Sequence, residues 1–168
     1  MHISSTLTRR ALLGTAGVAV VAIAATMIPG GEDRAGAAKY PLTLTPAQWK
    51  AKLTPQQYAI LREASTERPF TSPLNKEHRT GTFLCAGCDR KLFSSKTKFD
   101  SGTGWPSFWK PLPRAIGTDK DTMLGYSRTE VHCAQCGGHL GHVFDDGPPP
   151  TGLRYCMNGA AMKFVAGA

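Results

Sequence analysis

The chain has 168 residues, of which 41% are hydrophobic and 19% charged, and its formal net charge is +8. This composition excludes a wholly disordered chain, a coiled coil and a collagen-like fibre. Five cysteines are too few for a dense disulfide scaffold, and an odd number leaves one thiol outside any pairing scheme. The basic charge makes nucleic-acid binding one candidate function, which the motifs must then support or exclude.

The first 37 residues have the order of an export signal. A polar segment ends in Arg9 and Arg10, residues 11–28 carry no charge, and the small residues Ala35-Gly36-Ala37 follow further along. These are the three parts of a secretory signal, and the paired arginines resemble those of the twin-arginine type. We expect cleavage after Ala37. The alternative is a retained membrane anchor, because eighteen uncharged residues are near the lower limit for crossing a bilayer.

Cleavage at this point divides the chain into a signal peptide, residues 1–37, and one functional domain, residues 38–168. The domain would then act outside the cytoplasm, in the periplasm or another extracytoplasmic space. It would be associated with a membrane only if the signal were retained. Twin-arginine export generally moves folded proteins, which suits a chain whose thiols need a reducing compartment while they fold.

Two short helices are predicted at the start of this domain. Thr45 and Thr54 are each followed by proline, and Gln48 and Gln57 stand three residues after them. Threonine at the N-cap, proline at the first helical position and glutamine at the third form a capping box. The helices are expected over residues 46–52 and 55–64.

The rest of the chain predicts a mainly β fold. From Gly81 onward glycine, proline and serine recur every few residues, and no long helical period survives. We expect mostly antiparallel strands, with the helices on the N-terminal side. Strands are predicted at 81–85, 90–94, 106–109, 124–132, 139–144 and 153–164, and Phe108, Trp109 and Phe144 are assigned to the core.

Four of the five cysteines predict a metal site. They form two Cys-x-x-Cys turns separated by 44 residues, and each turn can direct two thiolates at one point. Four sulfur ligands suit tetrahedral Zn²⁺, with iron as a minor option, and a site with no open position is structural. Two disulfides or a thioredoxin-type redox pair are the alternatives. We expect one structural Zn²⁺ per chain, bound by Cys85, Cys88, Cys133 and Cys136.

The fifth cysteine, Cys156, is the candidate nucleophile. If its segment is a strand, Arg154, Cys156 and Asn158 share one face, and the guanidinium favours the thiolate. His139 and His142 are candidate proton donors, because imidazole titrates near neutral pH. In a regular strand they face opposite sides, so both reach Cys156 only if the backbone is irregular, which an intervening glycine permits. The alternative is a buried, chemically idle cysteine.

Two stretches of the chain carry long, ordered motifs. Residues 81–111 contain Gly-Thr-Phe-Leu-Cys-Ala-Gly-Cys and Lys-Phe-Asp-Ser-Gly-Thr-Gly-Trp-Pro-Ser-Phe, and residues 128–164 contain Thr-Glu-Val-His-Cys, Gly-Gly-His-Leu-Gly-His-Val-Phe-Asp-Asp-Gly and Gly-Leu-Arg-Tyr-Cys-Met-Asn. Together they closely resemble methionine sulfoxide reductase B, and the resemblance covers essentially residues 41–165. It implies two antiparallel sheets with a four-cysteine zinc site. It also implies reduction of the R epimer of methionine sulfoxide, mainly in proteins.

The resemblance also implies roles for single residues. The Cys156 thiolate attacks the sulfoxide sulfur and is left as a sulfenic acid, and Trp105 packs on the substrate methyl group. His142 and His139 are the natural proton donors to the sulfoxide oxygen. Three polar residues complete the expected site: Arg154 stabilises the thiolate, Asp146 orients Arg154 or a histidine, and Asn158 donates a hydrogen bond. The alternatives are a core aromatic for Trp105 and a backbone-bonded structural histidine for His139.

One position departs from the family. Many members have a recycling cysteine in Gly-Cys-Gly-Trp-Pro, where this chain has Thr103. Threonine cannot form a disulfide with the sulfenic acid, so reduction by an external thiol is implied, from a thioredoxin-like protein or a small thiol. The expected partners are therefore that reductant and proteins or peptides containing methionine-R-sulfoxide. We expect a monomer that does not bind nucleic acid.

Two other functions are open at this point. A nucleic-acid-binding zinc ribbon would use the basic charge, but the lysines and arginines are scattered and the export signal points away from nucleic acid. A zinc-stabilised structural or chaperone domain would leave Cys156 idle.

Overall fold

The computed structural model describes residues 40–167. The predicted export signal, residues 1–37, and its cleavage point lie outside this range. Within the described residues, no helix is both long enough and apolar enough to cross a bilayer. They form a three-stranded and a six-stranded antiparallel sheet preceded by two short helices, which confirms the predicted mainly β class.

Both helices begin at the predicted capping boxes. Helix α1 spans Pro46–Lys52 and helix α2 spans Pro55–Glu63. In α1 the Gln48 N–H donates to Thr45 Oγ1, and the Thr45 N–H donates to Gln48 Oε1 at 2.9 Å. Helix α2 ends one residue earlier than predicted, because Ala64 takes a left-handed conformation.

The strands fall into two antiparallel sheets. The three-stranded sheet has the order β2-β1-β9, and the six-stranded sheet has the order β3-β4-β8-β7-β6-β5. The strands are β1 Gly81–Cys85, β2 Lys91–Ser94, β3 Lys98–Phe99, β4 Ser107–Phe108, β5 Ile116–Asp121, β6 Arg128–Cys133, β7 His139–Phe144, β8 Arg154–Met157 and β9 Met162–Ala166.

An aromatic cluster joins the two sheets. Phe108 of β4 is fully buried, and its ring centroid lies 4.9 Å from that of Phe83 in β1 and 4.4 Å from that of Phe93 in β2. Rings at these separations bury a large apolar area and have favourable geometry. The cluster therefore holds the six-stranded sheet, and with it β8, against the three-stranded sheet.

Two strand predictions were wrong. The strand predicted at 124–132 begins later, as β6, and residues 122–127 form a turn between β5 and β6. Strand β5 was not predicted, because its sequence is polar and it lies at the exposed edge of the sheet, so it has no hydrophobic pattern. The strand at 153–164 is interrupted by the 3₁₀ turn Gly159–Ala161, and β8 and β9 belong to different sheets. The buried Glu67 carboxylate accepts the N–H groups of Gly159 and Ala160 and so fixes that turn.

Candidate active site and metal centre

The two Cys-x-x-Cys turns repeat one backbone conformation. Cys85 ends β1 and Cys133 ends β6, and each cysteine carbonyl accepts a 2.9 Å hydrogen bond from the N–H four residues later, that of Asp89 and of Gly137. Both of those residues have positive φ, 60° and 67°. The chain therefore forms the same tight turn twice, and each turn presents one pair of sulfurs.

The geometry of the four sulfurs fits one metal ion. All four lie within 4.8 Å of one another, Cys85 Sγ is 3.7 Å from Cys136 Sγ, and Cys88 Sγ is 3.5 Å from Cys133 Sγ. Zinc–sulfur bonds of about 2.3 Å in a tetrahedron place sulfurs about 3.8 Å apart. The buried Arg62 of α2 supports the second turn by donating to the Cys136 carbonyl at 2.9 Å. The cluster can hold a metal ion and offers it four equivalent ligands.

Cys156 lies near the centre of the six-stranded sheet. It is directly opposite His142 of β7 on one side and Ser107 of β4 on the other. Directly opposed residues in antiparallel strands project from the same face, with Cβ atoms about 4.5–5.5 Å apart. The fold therefore places a thiol and an imidazole side by side on one face.

A β-bulge brings the two histidines together. Val131 pairs with Gly141 but His132 pairs with His139, so Leu140 is an extra residue in β7. Gly141 has a φ of 155°, and a Cβ there would lie 2.1 Å from the Cys156 carbonyl oxygen. The His139 and His142 rings are 5.4 Å apart as a result. Strand β7 thus has the irregular backbone that is needed to bring two histidines three residues apart close to each other.

A cavity of about 200 Å³ opens beside the thiol. It contains four of the predicted site residues, whereas His139, Arg154 and Asp146 lie outside its lining. Phe144 is predicted to be a core residue, but it is only partly buried and lies on the cavity wall, so this prediction is wrong. The lining consists of Thr66, Trp105, Arg128, Gly141, His142, Phe144, Cys156 and Asn158.

Burial dominates the electrostatics of Cys156. It raises the pKa of the half-buried thiol, and the Thr103 hydroxyl, the Arg154 guanidinium and the Ser107 hydroxyl lower it by less. The Thr103 Oγ1 atom is 3.8 Å from Cys156 Sγ. The Arg154 guanidinium therefore acts in the direction that favours the thiolate, but burial outweighs it and holds the pKa of Cys156 above its usual range.

Asp146 orients Arg154 and not a histidine. Arg154 Nε and Nη2 donate to the two carboxylate oxygens of Asp146, each at 2.8 Å. The guanidinium also lies 4.4 Å from the centre of the Phe144 ring. A bidentate pair stacked on an aromatic ring fixes the orientation of the guanidinium.

His142 is held by Asp121 and Arg128, which the sequence patterns did not indicate. Its Nε2 atom is 2.8 Å from Asp121 Oδ2, and that oxygen also accepts from Arg128 Nη2 at 2.6 Å. Hydrogen bonds from the Met123 N–H, His142 and Arg128 hold the pKa of the Asp121 carboxyl far below its usual range. An ionised carboxylate only accepts, so His142 carries its proton on Nε2 and leaves Nδ1 free. Burial lowers the pKa of His142, so the ring is neutral at pH 7.

His139 is bound to a carboxylate rather than to the backbone. Its Nδ1 atom is 2.7 Å from Glu130 Oε1, and its buried Nε2 atom has no hydrogen-bond partner among the described residues. Alternating polar residues in β6 (Arg128, Glu130, His132) could have indicated this arrangement, because alternate positions of a strand share one face. Asp121 gave no such signal, since β5 itself was not predicted.

The side chains of Asn158 and Trp105 are both hydrogen-bonded to the backbone of Glu67. The Asn158 side chain accepts from the Glu67 N–H at 3.0 Å and donates to the Leu140 carbonyl at 3.1 Å. The Trp105 indole N–H donates to the Glu67 carbonyl at 3.2 Å. The Asn158 amide therefore supports the cavity wall, and the Trp105 ring is held at the cavity by its polar edge.

Comparison with known proteins agrees with this arrangement. Residues 53–166 match the family model described as the SelR domain. The chain is similar to proteins named peptide methionine sulfoxide reductase MsrB. The protein from Agrobacterium fabrum is 58% identical over 119 residues, 70% of this chain and 88% of the relative. The one from Leptospira interrogans is 52% identical over 126 residues, 74% and 96% respectively. The one from Leifsonia xyli is 52% identical over 132 residues, 77% and 95%. The chain therefore belongs to the peptide methionine sulfoxide reductase MsrB family.

Proposed function

We propose that this protein reduces the R epimer of methionine sulfoxide in polypeptides, with Cys156 as the nucleophile. The observation that supports this most directly is the cross-strand pairing of Cys156 with His142 beside a cavity that also contains Trp105. The indole ring provides an apolar surface for the S-methyl group. The substrate's sulfoxide group then lies between the thiol and the imidazole.

The first step moves one proton within the Cys156–His142 pair. The free protein holds a thiol and a neutral imidazole, because burial raises the pKa of Cys156 and lowers that of His142. His142 Nδ1 accepts the thiol proton, which gives a thiolate and an imidazolium. Asp121 stabilises this imidazolium through Nε2, and Arg154 stabilises the thiolate.

The second step transfers oxygen. The thiolate attacks the sulfoxide sulfur, and the S–O bond becomes more polar as electron density moves to oxygen. The His142 imidazolium returns its proton to that oxygen. The oxygen passes to Cys156, the bond between the two sulfurs breaks, and the products are methionine thioether and a Cys156 sulfenic acid. The thiol proton ends on the sulfenic acid, so no proton is gained or lost overall.

The enzyme is restored by two equivalents of an external thiol. One thiol attacks the sulfenic sulfur and releases water, which leaves a mixed disulfide on Cys156. A second thiol breaks that disulfide and regenerates the Cys156 thiol. Thr103, which faces Cys156 at 3.8 Å, cannot take the place of the first thiol.

For the metal centre, we propose structural Zn²⁺, one per chain. Four thiolates with no open position stabilise a fold and leave no site for substrate. The cluster joins the end of β1 in one sheet to the end of β6 in the other, so the bound ion would link the two sheets. Metal analysis of the purified protein tests both the identity and the stoichiometry.

For the location, we propose that residues 1–37 direct export of the folded domain. The support is the sequence order of Arg9-Arg10, an uncharged segment and small residues. Replacing both arginines by lysine should retain the protein in the cytoplasm, as measured by cell fractionation. Unchanged export would contradict the twin-arginine assignment.

One assay separates this function from a structural zinc domain with an idle cysteine. Purified protein is incubated with dabsylated methionine sulfoxide and dithiothreitol, using each epimer separately. We expect turnover of the R epimer only. Cys156→Ser should keep its metal and lose turnover, since serine is a far weaker nucleophile at neutral pH. Turnover of both epimers, or activity in Cys156→Ser, would contradict the proposal.

A further inference from the structure

A chain of three hydroxyl groups ends at the sulfur of Cys156. Ser101 Oγ lies 2.8 Å from Thr103 Oγ1 and 2.7 Å from Ser107 Oγ. Thr103 Oγ1 is hydrogen-bonded to Cys156 Sγ at 3.8 Å, and the Ser107 hydroxyl donates to the Trp105 carbonyl at 3.1 Å. Ser101, Thr103 and Ser107 are called here the hydroxyl chain. Its last member, Ser107, is fully buried in β4, directly opposite Cys156.

The number of protons available to the hydroxyl chain depends on Cys156. Four hydrogen bonds run from the sulfur to the Trp105 carbonyl, and a protonated thiol adds the fourth proton to those of the three hydroxyls. In that state each group donates to the next, from the thiol to the carbonyl. A thiolate only accepts, so the donors must then point from Ser107 through Ser101 and Thr103 to the sulfur. Hydroxyl hydrogens rotate to suit their acceptors, so this reversal needs no movement of heavier atoms.

We propose that the hydroxyl chain reverses its direction when Cys156 loses its proton, and that Ser101 is the positioning residue that links Ser107 to Thr103 in the thiolate state. Burial raises the pKa of Cys156, and the Thr103 and Ser107 hydroxyls act against it. Hydrogen bonds to a charged acceptor are stronger than those between neutral groups, and each bond in a chain polarises the next. Ser101 therefore stabilises the thiolate through Thr103.

This inference rests on the proposed function, in which Cys156 becomes a thiolate twice. The first time is the attack on the sulfoxide. The second is release from the mixed disulfide, in which an external thiolate attacks the outer sulfur, the S–S bond breaks and the electron pair stays on Cys156. A disulfide sulfur has no proton to donate, so the Thr103 hydroxyl can already point at it. A thiol of lower pKa is the better leaving group, so the hydroxyl chain should accelerate reduction by an external thiol.

Other groups near this sulfur must stay constant in any test. The charged and titratable ones are Arg154 of β8, His142 of β7, Arg128 of β6 on the cavity wall, and Asp100, which begins the Thr103 loop and accepts the Gly102 N–H. The variants used here keep all of them, so a change in the titration of Cys156 reports the hydroxyl chain.

Three variants test the role of Ser101. Ser101→Ala breaks the hydroxyl chain at its middle, and Ser101→Thr keeps the hydroxyl. Ser95→Ala is the matched control, because it removes a similarly half-buried hydroxyl that accepts the Gly81 N–H. The rate of alkylation by iodoacetamide is measured against pH, and Cys156→Ser gives the background from the other four cysteines. Ser101→Ala should move the profile to higher pH and slow alkylation at neutral pH by about threefold or more, with no loss of rate on the alkaline plateau. Ser101→Thr should restore the native profile, and Ser95→Ala should not change it.

A second measurement follows the release step itself. The purified protein is converted with methyl methanethiosulfonate to the methylthio mixed disulfide of Cys156, and its reduction by dithiothreitol is followed by intact-mass spectrometry. Ser101→Ala should slow this reduction by about twofold or more, and Ser101→Thr should not.

Three outcomes would overturn the proposal. They are an alkylation profile of Ser101→Ala that does not move, a Ser101→Thr variant that behaves like Ser101→Ala, and faster alkylation of Ser101→Ala at every pH. The last would mean that Ser101 only keeps the loop closed over the thiol. Neither measurement uses a sulfoxide. Failure of the protein to reduce sulfoxides would therefore contradict the proposed function, while the alkylation profile and the release rate would still decide the role of the hydroxyl chain.

Discussion

Asp121 and His142 are joined by a 2.8 Å hydrogen bond between two strands that are not neighbours in the sheet, because β6 lies between β5 and β7. Asp121 reaches past β6 only because it stands at the end of β5, opposite Arg128. The contact fixes which imidazole nitrogen carries the proton and which one is free for chemistry. It gives His142 the same kind of support that a carboxylate gives the histidine of a nucleophilic triad.

Asp121→Asn should lower kcat for the R sulfoxide by about 10- to 100-fold. The asparagine side chain removes the negative charge that stabilises the His142 imidazolium, so less of the thiolate–imidazolium pair forms. The acid limb of the kcat–pH profile reports His142, whose pKa burial already lowers and Asp121 raises. In the variant that limb should therefore move to lower pH. An unchanged acid limb with a reduced kcat would assign Asp121 a purely structural role.

The positive charge of Arg154 should be visible in the pH dependence of Cys156 alkylation. Arg154 lowers the pKa of Cys156, although burial keeps it above the usual range. Arg154→Met retains an apolar side chain next to Phe144 but removes the cation, so the pKa of Cys156 should rise further. The rate of alkylation by iodoacetamide should then increase only at higher pH than in the native protein. Arg154→Lys keeps the charge and should restore the lower pKa of Cys156 in part. Equal alkylation–pH profiles for the Arg154→Met and Arg154→Lys variants would contradict an electrostatic role of Arg154.

Local chemistry in the sequence predicted most of this structure. The two capping boxes fixed both helix starts, and Cys-x-x-Cys spacing predicted the sulfur cluster, because each depends on residues close in the chain. The spacing of His139 and His142 also indicated an irregular strand, which the extra Leu140 provides. Asp121 and Glu67 could not be found in this way. They act across strands or between a loop and a turn, so their partners depend on sheet order and register rather than on local sequence.

Loss of the sulfur cluster should affect stability before it affects chemistry. Cys85→Ser removes a buried sulfur of the cluster at the end of β1, and the binding of a structural metal ion is coupled to folding. The variant should lose its metal and unfold at a much lower urea concentration than the native protein. Cys156→Ser is the matched control, since it should keep both metal and stability while losing turnover. Native-like stability of Cys85→Ser without metal would contradict a structural role for the cluster.

Glu67 should prove to be a structural residue of the cavity. It is 6% exposed, and its carboxylate accepts the N–H groups of Gly159 and Ala160. Glu67→Gln replaces one acceptor with an NH₂ group that faces an N–H, which leaves a buried donor unpaired at a cost of about 1–3 kcal/mol. Urea denaturation measures this loss in the free energy of unfolding. Glu63→Gln, at an exposed position of α2, should change it by less than about 0.5 kcal/mol.

The final prediction concerns recycling and depends on Thr103. After one turnover without reductant, intact-mass spectrometry should show one added oxygen on Cys156 or one adduct of a sulfenic-acid trap. A loss of two hydrogens would instead show an internal disulfide, and a cysteine of the metal cluster would then be the resolving thiol.

Two replacements of Thr103 test separately what its hydroxyl group does and how close its position is to Cys156. Thr103→Val keeps the shape but removes the group that lowers the pKa of Cys156, so that pKa should rise. Thr103→Cys places a thiol where Oγ1 now lies 3.8 Å from Cys156 Sγ, so turnover should end in a disulfide. A disulfide requires Cα atoms within about 7 Å, and the positive-φ residues Gly102 and Gly104 on either side of position 103 give the loop freedom to adjust. The variant should then be reduced faster by thioredoxin than the native sulfenic acid is. Failure to form the disulfide would mean that the loop moves away from Cys156 during turnover, and it would weaken the proposed contact of Trp105 with the substrate methyl group.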